Sequence, residues 1–340
     1  MTNPLSDLLA VKGTLLADGA TGTNLFNMGL MSGDAPELWN TDEPDKITAL
    51  YKGAVDAGSD LFLTNSFGAN ASRLKLHDAA KRAHELSRVS AEIAREVADT
   101  AGRPVIVAGS VGPTGEIMEP VGTLSHSLAV EMFHETADGL RAGGADVGWL
   151  ETISAPEEYR AAAEGFRLAG LAWCGTMSFD TAGRTMMGVT SSDMVRLVDD
   201  LGDDAPFAFG ANCGTGASDL LRTILGFAAQ GPERPIIAKG NAGIPKYEDG
   251  HIHYDGTPEL MADYAVMARA CGASIIGGCC GTMPEHLRHM REALDTRVMD
   301  SPPALEEIVD RLGAFSSKAD GTEESEAPAR RSNRRRRRAG

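Results

Sequence analysis

A single-domain (β/α)8 TIM barrel of the α/β class is the fold this sequence predicts, on three observations. Short apolar, β-branched runs alternate with longer helical patterns. Eight such units follow one another before the composition changes. Unusual polar residues and cysteines recur just after the runs, as they should where strand ends share one mouth.

The candidate strands are, in order, Thr14–Ala17, Asp60–Thr64, Val105–Gly109, Asp146–Leu150, Ala172–Phe179, Phe207–Ala211, Ile236–Lys239 and Ala273–Gly277. Each is short, as barrel strands are. Amphipathic stretches between them read as covering helices; in Ser72–Ala101 the apolar Leu74, Ala80, Ala83, Leu86, Val89 and Ile93 recur at three- and four-residue intervals. Helix starts are expected at Ser125, Ser154 with Pro156, Thr257 with Pro258, and Thr282 with Pro284, which combine capping side chains with first-turn prolines. His251 and His253 fall in a polar loop and read as surface groups, and His286 and His289 as one helix face. Residues 1–302 are expected to form the barrel, 303–315 a short helix (Ala304–Leu312), and 316–340 a disordered tail, first acidic and then arginine-rich.

The chain has 340 residues, 42 % of them hydrophobic, enough for one large core. Its N-terminus has no basic stretch leading into an apolar core, and no segment approaches the ~18 apolar residues of a membrane span, so a soluble, cytoplasmic protein is expected. Five cysteines, two of them adjacent, make a poor disulfide framework but suit metal binding in a reducing compartment. The net charge of −16 includes seven arginines among residues 330–340; without them 25 basic residues face 48 acidic ones, a balance of −23. Such a body disfavours nucleic acid as main ligand, while the Arg330–Arg338 tail could be a solvated arm, a protein-docking arm or a polyanion binder. Homo-oligomers are compatible with the sequence.

Cys279 and Cys280 close the eighth run and Cys213 the sixth. Catalytic zinc takes three protein ligands and keeps one position open, so three thiolates meet that count. Because 66 residues separate Cys213 from Cys279, the fold must join them. Alone, a Cys-Cys pair on a strand is more often core filler, which is how Cys174 and Cys271 read. Asp18 and Gly19 follow the first run, Thr64 the second, Glu151 the fourth, Asn212 the sixth and Asn241 the seventh. Asp18 could merely cap a turn, and Glu151 could pair with an arginine.

Taken together, the motifs resemble the homocysteine S-methyltransferase family, which includes betaine-homocysteine methyltransferases and the homocysteine-activating module of cobalamin-dependent methionine synthase. The resemblance covers about residues 10–295. It rests on Asp18-Gly19-Ala20-Thr21-Gly22-Thr23, Thr64-Asn65-Ser66-Phe67, Gly109-Ser110-Val111-Gly112-Pro113, Glu151-Thr152, Gly210-Ala211-Asn212-Cys213 and Gly277-Gly278-Cys279-Cys280-Gly281. It implies a (β/α)8 barrel in which Cys213, Cys279 and Cys280 bind zinc and homocysteine sulfur completes the tetrahedron. By the same resemblance Asp18, Gly19, Thr64 and Glu151 hold the amino-acid end of homocysteine, with Asn212 among the substrate-binding residues. Asn241, in Asn241-Ala242-Gly243-Ile244-Pro245, resembles the methionine-synthase form of its loop and is expected to approach zinc when homocysteine is absent.

The methyl donor stays open at this level. A betaine cage uses aromatic rings, yet aromatics make up only 5 % of the chain, Gly68 stands where a betaine-type enzyme would carry tyrosine, and Trp39 stands near the following helix. A stand-alone enzyme using betaine or a related onium donor is the simplest expectation. The alternative is the homocysteine-activating subunit of a split cobalamin-dependent methionine synthase, with a corrinoid protein in trans; an alternative of another class is an idle barrel that binds partners through its arginine tail.

Overall fold

Eight parallel strands close around an apolar interior, as the alternating runs demand. The structure, a computed structural model, describes residues 3–321 except 244, 249 and 250, with no side-chain account of 245–248 and 251–253. The barrel strands are β1 (Leu15–Leu16), β2 (Leu61–Leu63), β3 (Ile106–Val111), β4 (Val147–Ile153), β5 (Trp173–Met177), β6 (Phe209–Cys213), β7 (Ile236–Gly240) and β10 (Ala273–Gly278), ordered β1-β10-β7-β6-β5-β4-β3-β2. Between β7 and β10 lies an antiparallel hairpin, β8 (Pro245–Glu248) with β9 (His251–Tyr254). The backbone of His251 and His253 is thus strand, not the loop expected; their side chains lie outside the described residues.

Strand alternation sorts the side chains. Leu15, Leu61, Leu63, Ile106, Val147, Trp149, Ala208, Ile237 and Ile275 fill the barrel, floored by Leu5 and Leu8 of α1 (Pro4–Lys12). Their neighbours Leu16, Phe62, Val107, Leu150, Phe209, Ile236 and Ile276 pack outward under the helices. That outer layer comprises α4 (Pro44–Asp56), α6 (Ala83–Asp99), α7 (His126–Ala142), α8 (Pro156–Ala169), α9 (Ser191–Asp200), α10 (Ala217–Ala228), α11 (Pro258–Ala270) and α12 (Pro284–Thr296), one per barrel strand. The short helices α2 (Thr21–Asn27), α3 (Trp39–Asp42) and α5 (Ala71–Leu74) sit in the loops after β1 and β2, and α13 (Leu305–Leu312) follows the barrel as expected. Among the described residues no helix is long and apolar enough to cross a membrane.

The seam between β1 and β2 is joined by two aspartates rather than by a regular ladder. The Asp60 N–H donates to the Leu16 carbonyl at 2.6 Å while Asp60 Oδ2 accepts from the Leu16 N–H at 2.9 Å. One turn nearer the mouth, Asp18 Oδ2 accepts from the Leu63 N–H at 2.8 Å.

Several local expectations are corrected. The stretch Ser72–Ala101 is not one helix: α5 gives way to 3-10 turns at Lys75–His77 and Ala80–Arg82 before α6, because Asp78 takes a left-handed conformation (φ 54°) that a helix cannot continue through. Ser125 and Thr257 cap their helices, but Ala155 and Met283 occupy the cap positions assigned to Ser154 and Thr282. Of the segment expected to be disordered, residues 316–321 are described and lie along α10, where the Ser316 N–H donates to Asp219 Oδ2 at 3.0 Å and Arg222 donates to the Ser317 carbonyl at 3.0 Å. Residues 322–340, including the arginine run, lie outside the described residues.

Candidate metal and substrate site

The last inward-facing position of several strands is polar, and these positions converge at the mouth. Following the alternation, Ser110 on β3, Glu151 on β4, Asn212 on β6 and Lys239 on β7 come after the apolar inward layers, and all are buried. Beside them stand the three cysteines. The Cys213, Cys279 and Cys280 sulfurs lie within 4.8 Å of one another, with Cys213 Sγ 3.9 Å from Cys280 Sγ. Tetrahedral zinc with Zn–S bonds of about 2.3 Å would place its sulfurs about 3.8 Å apart, so this donor set fits zinc.

Several contacts fix the trio. The Cys279 N–H donates to the Gly240 carbonyl at 2.7 Å, tying the β10 end to β7. Asn241 bridges the two cysteine loops: its Oδ1 accepts from the Cys280 N–H at 3.1 Å and its Nδ2 donates to the Gly214 carbonyl at 2.8 Å. Cys213 itself is left-handed (φ 62°), a conformation costly for a side-chain-bearing residue and retained where surroundings enforce it. As free thiols they are held protonated: Cys213 is pushed up to about 12, first by its hydrogen bond with Cys279, and Cys280 to about 11, first by its hydrogen bond with Cys213, with burial adding to both. A divalent cation reverses that balance, because a coordinated thiol is deprotonated.

Glu151 is the best-prepared carboxylate. Its Oε1 accepts from Ser110 Oγ at 2.5 Å, and Ser110 is tied to Thr64, whose Oγ1 accepts from the Ser110 N–H at 2.9 Å and meets Ser66 Oγ at 2.6 Å. The second oxygen of Glu151 accepts no hydrogen bond among the described residues. Burial raises its pKa above the ordinary carboxylate range, against the pull of Lys239 and the Ser110 hydrogen bond. Asp18 is placed differently, since both of its oxygens are engaged, one by Leu63 and the other by Lys239 Nζ at 2.5 Å. Burial alone would favour the neutral amine of Lys239, but Asp18 and then Glu151 outweigh it and raise its pKa. Gly19 has to be glycine, because a Cβ there would stand 2.6 Å from the Thr282 carbonyl.

Asn212 is fully buried and works within the scaffold. Its Oδ1 accepts from Thr176 Oγ1 at 2.7 Å and from the Thr152 N–H at 2.9 Å, while its Nδ2 donates to Thr152 Oγ1 at 2.8 Å and lies 3.8 Å from Cys279 Sγ.

With this geometry in view, comparison with known proteins is decisive. The family model described as homocysteine S-methyltransferase matches residues 15–294. The chain belongs to the homocysteine S-methyltransferase family. The chain is 31 % identical over 306 residues to methionine synthase of Mycobacterium tuberculosis (strain ATCC 25618 / H37Rv), and 30 % over 297 residues to that of Mycobacterium leprae (strain TN), with 85 % and 82 % of this chain aligned. It spans only 25 % and 24 % of those relatives. Its fold matches that of the homocysteine methyltransferase MmuM from Escherichia coli: the metallated form at TM-score 0.70 and 24 % identity, covering 85 % of this chain and 99 % of that one, and the oxidized form at 0.69 and 25 %, covering 86 % and 99 %.

Sequence reasoning missed Lys239, and Ser110 as the partner of Glu151. The signal for Lys239 was present: in Ile236-Ile237-Ala238-Lys239 the alternation puts lysine on the same face as Ile237.

Proposed function

We propose that this methyltransferase makes methionine by methylating homocysteine whose sulfur binds a zinc ion held by Cys213, Cys279 and Cys280. The observation that carries the reading is the sulfur trio at zinc spacing beside a buried carboxylate with an open oxygen. A zinc ion there would keep the substrate sulfur as thiolate at neutral pH and so supply a nucleophile. Glu151 takes the substrate ammonium through a charge-assisted hydrogen bond, and Thr64, through Ser110, holds that carboxylate in place. Gly19 gives backbone access at the rim, and Asp18 fixes the β1–β2 seam beside it. Asn212 acts indirectly, by holding Thr152 next to Glu151. Asn241 is the chain's own candidate for the fourth position in the absence of substrate. Its present bonds to the Cys280 and Gly214 backbones keep it between the two ligand loops. In-line transfer then depends on alignment of donor and sulfur.

The donor is argued from the rim. No ring follows Phe67, since Gly68 is packed against Glu37, and the two nearby aromatic faces already carry protein cations: Lys46 over Trp39 at 4.2 Å and Arg73 over Phe67 at 5.3 Å. This weighs against a betaine cage and favours another methyl source. The first reading is therefore a stand-alone enzyme with a small onium donor other than betaine, such as a sulfonium, and what supports it is that these aromatic faces are already taken. The likeness to methionine synthases supports the second reading, a homocysteine-activating part served by a corrinoid carried on another protein. Zinc-loaded protein offered homocysteine with betaine, a sulfonium, S-methylmethionine or methylcobalamin in turn decides: methionine from a sulfonium supports the first reading, methionine from methylcobalamin alone the second, and methionine from none contradicts both.

A further inference from the structure

We propose that Lys239 selects the charge of the substrate: by neutralising Asp18 inside the barrel it leaves Glu151 as the one unbalanced carboxylate, so the pocket prefers a thiol bearing both ammonium and carboxylate over a purely cationic one. The inference rests on the homocysteine reading given above and assigns a specificity residue within it.

Lys239 is the only lysine or arginine fully buried among the described residues, at 2 % exposure. Its Nζ crosses from β7 to Asp18 Oδ1 at 2.5 Å and lies 5.8 Å from the centre of the Trp149 ring, which places it at the base of the mouth. Asp18 therefore has no oxygen free of a protein partner, whereas Glu151 has one. The other seam aspartate makes the contrast. Asp60 is served by Lys12 at 2.5 Å and Arg291 at 3.1 Å, partly exposed cations at the opposite end of the barrel. A lysine buried at the mouth end is not needed merely to close a seam, because the Leu63 N–H already occupies the other Asp18 oxygen.

The consequence is electrostatic. With Lys239 present, Asp18, Lys239 and Glu151 sum to one negative charge, matched to one ammonium, and the substrate carboxylate meets no excess repulsion. Without it two carboxylates face the substrate, which attracts a bare cation and repels a carboxylate; at a separation of a few ångströms in a partly dry site such a change exceeds ~10-fold in affinity.

Calorimetric dissociation constants for homocysteine and for 3-aminopropane-1-thiol, the same thiol without its carboxylate, test this on zinc-loaded protein. Lys239→Met is expected to shift the ratio of the two constants at least ~10-fold toward the aminothiol. Asp18→Asn, which keeps Lys239 and an acceptor for Leu63, is expected to shift it the opposite way, and the double variant Asp18→Asn/Lys239→Met to return toward wild type. A purely structural lysine would lower the melting temperature and leave the ratio alone. An unchanged ratio in folded Lys239→Met overturns the proposal; should that variant not fold, an unchanged ratio in Asp18→Asn does so. Wild-type protein that binds neither thiol overturns the homocysteine reading itself, a result distinct from bound homocysteine with unaltered preference.

Discussion

Asn212 and Thr152 are clasped by a reciprocal pair of hydrogen bonds, the Thr152 N–H donating to Asn212 Oδ1 at 2.9 Å and Asn212 Nδ2 donating to Thr152 Oγ1 at 2.8 Å. Thr152 is left-handed (φ 63°), an unfavourable state for a β-branched residue, so the clasp holds strained backbone immediately after Glu151 and immediately before Cys213. Asn212→Ala is expected to lower kcat/KM for homocysteine by about 10- to 100-fold, since misplacing a site by about 1 Å has effects of that order. Unpaired buried groups should also cost about 1–3 kcal/mol in stability. Steady-state kinetics and denaturant unfolding check the two parts.

Glu151 gives a pH dependence. Its raised pKa means that the folded protein holds this proton more tightly than the unfolded chain; the resulting stabilisation is present at acid pH and is lost as pH rises through the folded value. At neutral pH an ionised Glu151 therefore costs stability while serving the ammonium. Glu151→Gln is expected to be at least as stable as wild type at pH 7, yet to weaken homocysteine binding by about 10- to 100-fold, the loss of one charge-assisted hydrogen bond. It should also remove the part of the acid limb of homocysteine binding that comes from Glu151, leaving the fall that comes from protonation of the substrate and cysteine sulfurs. Thermal melts and binding titrations across pH 4–8 measure both.

The chain's other cysteines supply a contrast. Cys174 is buried mid-strand in the barrel interior and Cys271 ends α11 in the outer core, and burial pushes both thiols up to about 12. Cys174→Ala is expected to leave bound zinc unchanged and to cost about 1 kcal/mol through the small cavity it opens. Cys279→Ala is expected to remove the zinc. Metal content by mass spectrometry separates the two variants.

Metal affinity should itself depend on pH. Because Cys213 and Cys280 are protonated up to about 12 and about 11 when no cation is present, binding must displace their protons. The logarithm of the apparent zinc affinity is expected to rise by about two to three per pH unit between pH 6 and 8. Competition titrations with a chromophoric chelator read that slope.

Much of this was legible in the residues. All eight barrel strands fall on apolar runs, because parallel strands buried on both faces must be apolar throughout. The cysteines were legible as strand-end residues, but their convergence was not, since it depends on barrel closure between β6 and β10 through β7. Asp78 broke an apolar periodicity that gave no sign of a turn. Thr282 looked like a helix cap but stands one residue too early: Met283 is the cap, its N–H donates to His286 Nδ1 at 3.0 Å, and the Thr282 carbonyl instead accepts from the Ala20 N–H at 3.0 Å. Lys239 was read as a strand end although its inward parity was countable. Which carboxylate it neutralises is a matter of three-dimensional reach.

X-ray absorption at the zinc edge, before and after homocysteine is added, tests the central claim most directly. Three sulfur neighbours at about 2.3 Å are expected without substrate and four with it. Fewer than three sulfurs before addition, or no fourth sulfur after it, would contradict a zinc ion held by Cys213, Cys279 and Cys280 that takes the homocysteine sulfur.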